Sequence, residues 1–217
     1  MTRKYGASSR TPNLVFYPAA RPNGHSILII PGGGYARVVL DGEGSEAVRF
    51  FNDRGWHAWV LEYTTTANAP APLYPTPINE ALEAVRQVRA QQRQMDNSDG
   101  GGKLGVIGFS AGAHLAALLS TNNYAPGPFP AAATAETAGA SSSDQQDVDF
   151  GILAYGVITM DKDSPAAHGP SRACLLGPDP SAELCRSVSP QHLVCGRTPP
   201  VFLFHTANDG VVASQNA

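Results

Sequence analysis

The sequence places one serine where a catalytic nucleophile would stand. The segment Gly108-Phe109-Ser110-Ala111-Gly112 fits the pattern GxSxG, between a predicted strand and a predicted helix. A nucleophilic serine needs a tight, strained turn that lifts its hydroxyl clear of the sheet, and small neighbours leave room for the backbone to cross itself. The free N–H groups that begin the following helix then face the reacting centre. The alternative is a glycine-lined turn whose serine only caps the helix.

A second segment offers hydrogen-bond donors for such a serine. Residues 31–35, PGGGY, close a continuous apolar run. We predict an oxyanion hole made of the backbone N–H groups of Gly33 and Gly34, together with the N–H of Ala111. A glycine-rich turn can also cradle phosphate, but this one has neither the GxGxxG nor the GK[ST] form. Tyr35 is predicted either to line the substrate pocket or to cover the turn.

An acid candidate follows the last predicted strand. Asp209 lies in the segment 205–212, HTANDGVV, where an α/β-hydrolase presents the carboxylate that orients its histidine. The alternative is a turn residue ahead of Gly210. Asp161, which follows the preceding strand, is the second choice for the acid.

The composition sets limits on the function. The 217 residues fit one domain, 1–217, and are 42% hydrophobic and 15% charged, with a net charge of -3. This charge gives no electrostatic reason to expect nucleic acid as a partner. No run of 18 apolar residues exists, so no membrane span is predicted. The first residues contain no secretory signal, which indicates a cytoplasmic location.

No cofactor is predicted, and no metal site. Three cysteines, Cys174, Cys185 and Cys195, lie in one late segment. An odd count does not make a disulfide framework, and free thiols are favoured over a bridge between Cys174 and Cys185. Their spacing, with the histidines, does not suggest zinc.

Short apolar runs alternate with longer amphipathic stretches, which is typical of an α/β fold with a parallel sheet. Between and after these elements we predict a flexible surface loop over 125–149, which is rich in small residues, and an irregular segment over 161–197. Strands are predicted at 14–17, 26–30, 57–63, 103–109, 150–157 and 201–205. Helices are predicted at 45–54, at 78–94 and from about Ser110, with short helical turns near 171–176 and 181–187.

Taken together, these segments resemble the esterase/lipase branch of the α/β-hydrolases that includes bacterial acetylxylan esterases and related carbohydrate acetyl esterases. The resemblance runs in family order through PGGGY at 31–35, DGEG at 41–44, GFSAGAHLA at 108–116, the 171–177 segment and HTANDGVV at 205–212. It implies a three-layer sandwich around a mostly parallel central sheet. It also implies Ser110 as nucleophile, Asp209 as acid, the PGGGY turn as oxyanion hole, and a histidine on the loop after one further strand.

That histidine is where the sequence departs from the family, because the sequence ends at Ala217. We therefore expect a domain that is incomplete at its C-terminus and lacks the last strand and helix. Among the histidines present, only His168, in the irregular segment, is a plausible stand-in or pocket residue. Without the further strand, the run 201–205 becomes an exposed apolar edge that invites self-association.

The predicted function is a serine-dependent carboxylic ester hydrolase that removes acetyl or other short acyl groups from carbohydrate. Its substrate is a small-molecule or oligosaccharide ester, and this chain is expected to be inactive if the catalytic histidine is absent. Two alternatives stay open at this point. One is a catalytically dead remnant that only binds, and the other is an arylformamidase-like amide hydrolase that shares the elbow.

Overall fold

The central element is a seven-stranded sheet. The computed structural model describes residues 3–5, 13–95, 102–122 and 148–217, so most of the predicted loop 125–149 lies outside the described residues. The strands run in the order β1-β2-β4-β3-β5-β6-β7 across the sheet. Their bounds are β1 Arg3–Tyr5, β2 Asn13–Tyr17, β3 Ser26–Ile30, β4 His57–Glu62, β5 Leu104–Phe109, β6 Phe150–Ala154 and β7 Val201–Phe204.

Five of the strands, β4, β3, β5, β6 and β7, are mutually parallel, whereas β2 pairs antiparallel with both β1 and β4. The carboxyl ends of β3, β5, β6 and β7 therefore meet at one edge of the sheet. In open α/β sheets this edge is where ligands bind. The predicted turns after these strands all lie there.

Helices cover both faces of the sheet. Along β3, Leu28 and Ile30 face one hydrophobic cluster while Ile27 and Ile29 face the other, because successive side chains of a strand point to opposite faces. The first cluster lies under α2 and α3, and the second lies under α1. This three-layer arrangement explains why β3 is a continuous apolar run with every residue buried.

The helices occupy the predicted positions with small shifts at their ends. Their bounds are α1 Ser45–Asn52, α2 Thr76–Met95, α3 Ala111–Asn122, α4 Gly169–Leu176 and α5 Ala182–Ser187. An irregular turn over Leu40–Gly44 leads into α1. Among the described residues, no helix is both long and apolar enough to cross a membrane.

The α/β-hydrolase fold predicted from the sequence is confirmed, with local differences in the bounds of several strands. Strand β1 was not predicted. The strand predicted over 150–157 ends at Ala154, because Tyr155 adopts a left-handed backbone with φ 40°. The strand predicted over 201–205 ends at Phe204.

Strand β7 forms one edge of the sheet, and its side chains are open to solvent. Phe202 is 64% exposed, Leu203 46% and Phe204 51%. All three are apolar, and among the described strands β7 pairs with β6 alone. The apolar edge that the sequence predicted is therefore present on the described domain.

Candidate active site

Backbone strain is concentrated at the carboxyl edge of the sheet. Among the described residues, three that are not glycine have a positive φ: Tyr35 at 62°, Ser110 at 52° and Tyr155 at 40°. They follow the adjacent strands β3, β5 and β6. Left-handed backbone costs energy for residues with a Cβ and clusters at functional sites. The strain marks this edge as the candidate site.

Ser110 stands on a tight turn between β5 and α3. Its N–H donates to the carbonyl of Ala154 at 3.0 Å, and its carbonyl accepts from the N–H groups of Ala113 and Val157 at 3.1 Å. A Cβ on Gly108 would lie 2.6 Å from the Cα of Ala113, so the backbone crosses itself there as an elbow requires. The half-buried hydroxyl of Ser110 has no hydrogen-bond partner among the described residues.

The elbow lies in direct contact with the triple-glycine turn. A Cβ on Gly32 would lie 2.8 Å from the Cβ of Ser110 and 2.7 Å from the carbonyl oxygen of Phe109. A Cβ on Gly112 would lie 2.5 Å from the carbonyl oxygen of Pro31. Side chains at either glycine would push the two turns apart. The glycines therefore bring the predicted oxyanion donors and the serine together.

The three predicted oxyanion donors are unpaired. No acceptor among the described residues takes the N–H of Gly33, Gly34 or Ala111. Gly32 differs, because its N–H donates to Oε2 of Glu43 at 2.6 Å. The free donors are thus those of Gly33 and Gly34, beside the first N–H of helix α3.

Tyr35 does not line a pocket. Its side chain is fully buried, and its hydroxyl lies 2.6 Å from Nδ1 of His114. Nε2 of His114 lies 2.6 Å from the carbonyl of Val188, which can only accept, so Nδ1 is the acceptor for the Tyr35 hydroxyl. The prediction of a pocket residue is wrong for this structure, because the ring turns inward to meet the histidine. Of the two roles considered, Tyr35 covers the turn.

His114 is neutral in this arrangement. Burial lowers its pKa to about 4, and the hydrogen bond to Val188 opposes that shift only in part. A neutral imidazole keeps the acceptor that Tyr35 requires. His114 therefore anchors the glycine turn and does not face Ser110.

Asp209 lies on the turn after β7. Its Oδ1 accepts the N–H groups of Val211 at 2.8 Å and of Val212 at 2.9 Å. These two backbone hydrogen bonds lower the pKa of the Asp209 carboxyl, so it is ionised at neutral pH. The second oxygen, Oδ2, lies 3.4 Å from Nε2 of His205. Nε2 of His205 is closer to the carbonyl of Val212, at 2.9 Å.

Asp161, the second choice for the acid, pairs with His192 at 2.9 Å. No hydrogen bond joins either residue to Ser110 within the described chain. Asp161 instead closes the loop after β6 onto the segment that precedes β7.

His168 begins helix α4 as its cap. Nδ1 of His168 lies 2.8 Å from Oγ of Ser171 and accepts the N–H of Ser171 at 3.3 Å. Burial lowers the pKa of His168. The Ser171 hydroxyl lies 3.6 Å from the position that a Cβ on Gly34 would take, so this pair borders the glycine turn. His168 is near the predicted hole but is not hydrogen-bonded to the serine.

All six histidines lie in the described part of the chain, and none of their imidazole rings hydrogen-bonds to Ser110; the backbone N–H of His114 donates to the Ser110 carbonyl at 3.3 Å. His25 and His57 each accept a backbone N–H at the opposite edge of the sheet. The structure therefore brings Ser110 and the glycine turn into contact and places Asp209 on the turn after β7, while each histidine side chain has another structural partner.

Two residues near the site were missed from the sequence. Glu43 bridges the N–H of Gly32 and the hydroxyl of Tyr155, which donates to Oε1 at 3.1 Å. The sequence points to DGEG only through the family resemblance, and it predicts Tyr155 inside the strand 150–157. Its position at the carboxyl end of β6, beside the elbow strand, is the signal that points to it.

The cysteines are free thiols in the structure. The structure leaves Cys174, Cys185 and Cys195 unbridged. Within the described ranges, no group of three histidine, cysteine or acidic side chains is arranged to hold a metal ion.

Comparison with known proteins assigns the family. The BD-FAE family model matches residues 15–217. This chain belongs to the BD-FAE family. This match, with the relatives and structures below, supports the acetylxylan esterase-like α/β-hydrolase family that the motifs predicted.

Two curated relatives are much longer than this chain. Endo-1,4-beta-xylanase B of Butyrivibrio fibrisolvens is 35% identical over 191 residues, which are 88% of this chain and 28% of the xylanase. An acetylxylan esterase of Xylanibacter ruminicola is 27% identical over 201 residues, which are 90% of this chain and 36% of the esterase. The chain thus spans about a third of the length of these relatives.

Solved structures share the fold. An acetyl ester-xyloside bifunctional hydrolase from Caldicellulosiruptor lactoaceticus is 30% identical with a TM-score of 0.77, and the match covers 96% of this chain and 71% of that one. A truncated carbohydrate esterase from gut microbiota has a TM-score of 0.78 at 20% identity and covers 100% of this chain and 80% of that one. The latter likeness shows the fold alone.

Proposed function

We propose that this domain is a serine-dependent carboxylic ester hydrolase that removes acetyl or other short acyl groups from carbohydrate. One observation carries the proposal: Ser110 stands on a left-handed turn in contact with the glycine turn, and the N–H groups of Gly33, Gly34 and Ala111 have no acceptor among the described residues. Such donors stabilise the charge that develops during acyl transfer. The relatives named for acetylxylan esterase and acetyl ester-xyloside hydrolase support the acetyl group and the carbohydrate.

In the proposed reaction, Oγ of Ser110 attacks the acetyl carbonyl as a base takes the hydroxyl proton. The oxyanion binds the N–H groups of Gly33, Gly34 and Ala111. The base then returns its proton to the departing sugar oxygen, and water releases acetate from the acyl-serine by the reverse sequence.

Asp209 is proposed to orient the base. Its Oδ1 accepts two backbone N–H groups. Its Oδ2 makes a weaker contact, 3.4 Å from Nε2 of His205, and is therefore the oxygen available to the base. A fixed, ionised carboxylate with one available oxygen is what holds an imidazole in the required tautomer.

The base itself is not supplied by any histidine contact seen in the described chain. We therefore propose that the 217-residue chain turns over esters slowly on its own. Loss of a triad histidine costs on the order of 10⁶ in kcat in a serine hydrolase. Free imidazole is expected to replace part of this function.

The test compares the parent chain with Ser110→Ala on p-nitrophenyl acetate, with and without imidazole. Imidazole hydrolyses this ester by itself, so the Ser110→Ala protein measures the background. We expect the imidazole-dependent rate of the parent to exceed that background by about tenfold or more. Equal rates for both proteins would instead support a domain that only binds.

The substrate class is tested separately, under the same rescue conditions. Acetylated xylan and N-formylkynurenine distinguish a carbohydrate esterase from an arylformamidase-like amide hydrolase. We expect acetate release from the xylan and no Ser110-dependent cleavage of the formamide. The opposite preference would keep the elbow chemistry and overturn the substrate assignment.

A further inference from the structure

Glu43 lies between the glycine turn and the end of β6 and contacts both. Its Oε2 accepts the N–H of Gly32 at 2.6 Å, and its Oε1 accepts the hydroxyl of Tyr155 at 3.1 Å. Hydrogen bonds to a carboxylate are shorter and stronger than those between neutral groups. One half-buried side chain thus joins two turns that are far apart in the sequence.

The carboxylate also lies close to the nucleophile. The position that a Cβ on Gly32 would occupy is 2.8 Å from the Cβ of Ser110 and 3.0 Å from Oε2 of Glu43. Both groups therefore lie on the same side of Gly32. Because each of its oxygens accepts a hydrogen bond, the carboxylate is directed at the Gly32 peptide and the Tyr155 hydroxyl.

Tyr155 makes this contact from a strained backbone conformation. Its backbone is left-handed, and its N–H donates to the carbonyl of Phe204 at 2.6 Å. Burial, then the charge of Glu43, raises the pKa of the Tyr155 hydroxyl, so it stays a donor at neutral pH. A strained residue that persists at a site is held there by its surroundings.

We infer that Glu43 is the positioning residue of the oxyanion turn, and that it fixes the Gly32 peptide while Tyr155 fixes the carboxylate. This inference rests on the proposed function. By taking the N–H of Gly32, Glu43 leaves Gly33 and Gly34 as the free donors and sets the direction of their peptides. Glu43 acts through the turn and not on the substrate.

The kinetic test uses Glu43→Ala, Glu43→Gln and Tyr155→Phe under imidazole rescue. Glu46→Gln is the matched control, because Glu46 is exposed and its partner within the described residues is Arg49, one turn along α1. Melting curves establish that each variant is folded. Removing one oxyanion donor costs about 10²–10³ in kcat, so we expect Glu43→Ala to lower kcat by about 10² and change KM by less than about threefold.

Glu43→Gln keeps an acceptor for Gly32, so it is expected to recover most of kcat. The kcat of Tyr155→Phe is expected to lie between those of Glu43→Gln and Glu43→Ala. If Glu43→Gln is as slow as Glu43→Ala, the charge itself acts in the reaction and the positioning role is overturned. A Glu43→Ala protein with unchanged kcat, or with a change in KM alone, overturns it as well.

A second measurement does not depend on activity. In amide NMR spectra, the Gly32 proton of the parent is expected far downfield, and Glu43→Ala is expected to move it upfield and shift Gly33 and Gly34 too. Glu46→Gln should move none of them. If the parent and Ser110→Ala are equally inactive, the proposed function fails. The amide resonances then test by themselves whether Glu43 positions the glycine turn. Unmoved Gly33 and Gly34 amides would overturn the inference.

Discussion

The two ends of the candidate site are built differently. Around the elbow, β3, β5 and α3 are so closely packed that a single added Cβ on Gly112 would meet the backbone of the neighbouring strand. Around the acid, β7 is an open edge with three large apolar side chains exposed. A groove of about 600 Å³ runs beside β7 under α3 and includes neither Ser110 nor the glycine turn.

This difference separates what each region does. The Ser110 turn and the glycine turn are held together by close backbone packing, and Glu43 adds a hydrogen bond to the Gly32 peptide. The acid is placed by a short turn on a strand with one neighbour. We therefore expect substitutions near the elbow to cost much more than substitutions on β7.

The largest effect is expected at Gly112. Gly112→Ala puts a methyl group against the Ile30 and Pro31 carbonyls. We therefore expect the free energy of unfolding to fall by about 3 kcal/mol, which is the upper end of the usual cost of overpacking. Gly169→Ala is the matched control, since nothing lies within 4 Å of its Cβ position. Denaturant unfolding measures both. Equal stability of the two variants would show that the elbow is not tightly packed.

A smaller effect is expected from pH. His114 is buried on the elbow side with a pKa near 4, against an ordinary value of about 6.5, so the unfolded chain binds its proton first. The stability from neutral His114 is present above pH 6.5 and is lost as pH falls toward 4. Between pH 7 and pH 5 the loss is about 2 kcal/mol.

His114→Gln isolates this effect, because glutamine does not titrate. The fall in unfolding free energy from pH 7 to pH 5 should be about 2 kcal/mol smaller in His114→Gln than in the parent. Parallel pH curves for His114→Gln and the parent would contradict the buried, neutral histidine.

The smallest effect on stability is expected on β7. Leu203→Lys should change the free energy of unfolding by no more than about 0.5 kcal/mol, since the side chain is already exposed. It should nevertheless reduce self-association, which we propose occurs through the unprotected β7 edge. Light scattering across a concentration series measures this. A parent that stays monomeric at high concentration would contradict the proposal.

The sequence predicted the parts of the molecule that depend on local pattern. Apolar runs with turn residues predicted β3 and β5 within a residue or two, because burial on both faces of a parallel sheet demands such runs. The GxSxG and PGGGY segments predicted the two turns that the structure brings into contact, because only glycine permits that approach.

Features that depend on tertiary contacts could not be read from the sequence. The hydrogen bond between Tyr155 and Glu43 spans 112 positions, and the left-handed backbone of Tyr155 ends a segment whose residues otherwise favour a strand. Tyr35 was assigned no definite role because its partner, His114, lies on a different element. Such pairings follow from the packing of the finished sheet.

The central claim is that the Ser110 hydroxyl is the acyl acceptor. Mass spectrometry of the peptide that contains Ser110, after a rapid quench of the chain with p-nitrophenyl acetate and imidazole, tests it directly. We predict an acetyl group on Ser110 that is lost with time, and its absence from the same peptide of Ser110→Ala. An unmodified Ser110 while acetyl groups accumulate only on other side chains would contradict the account.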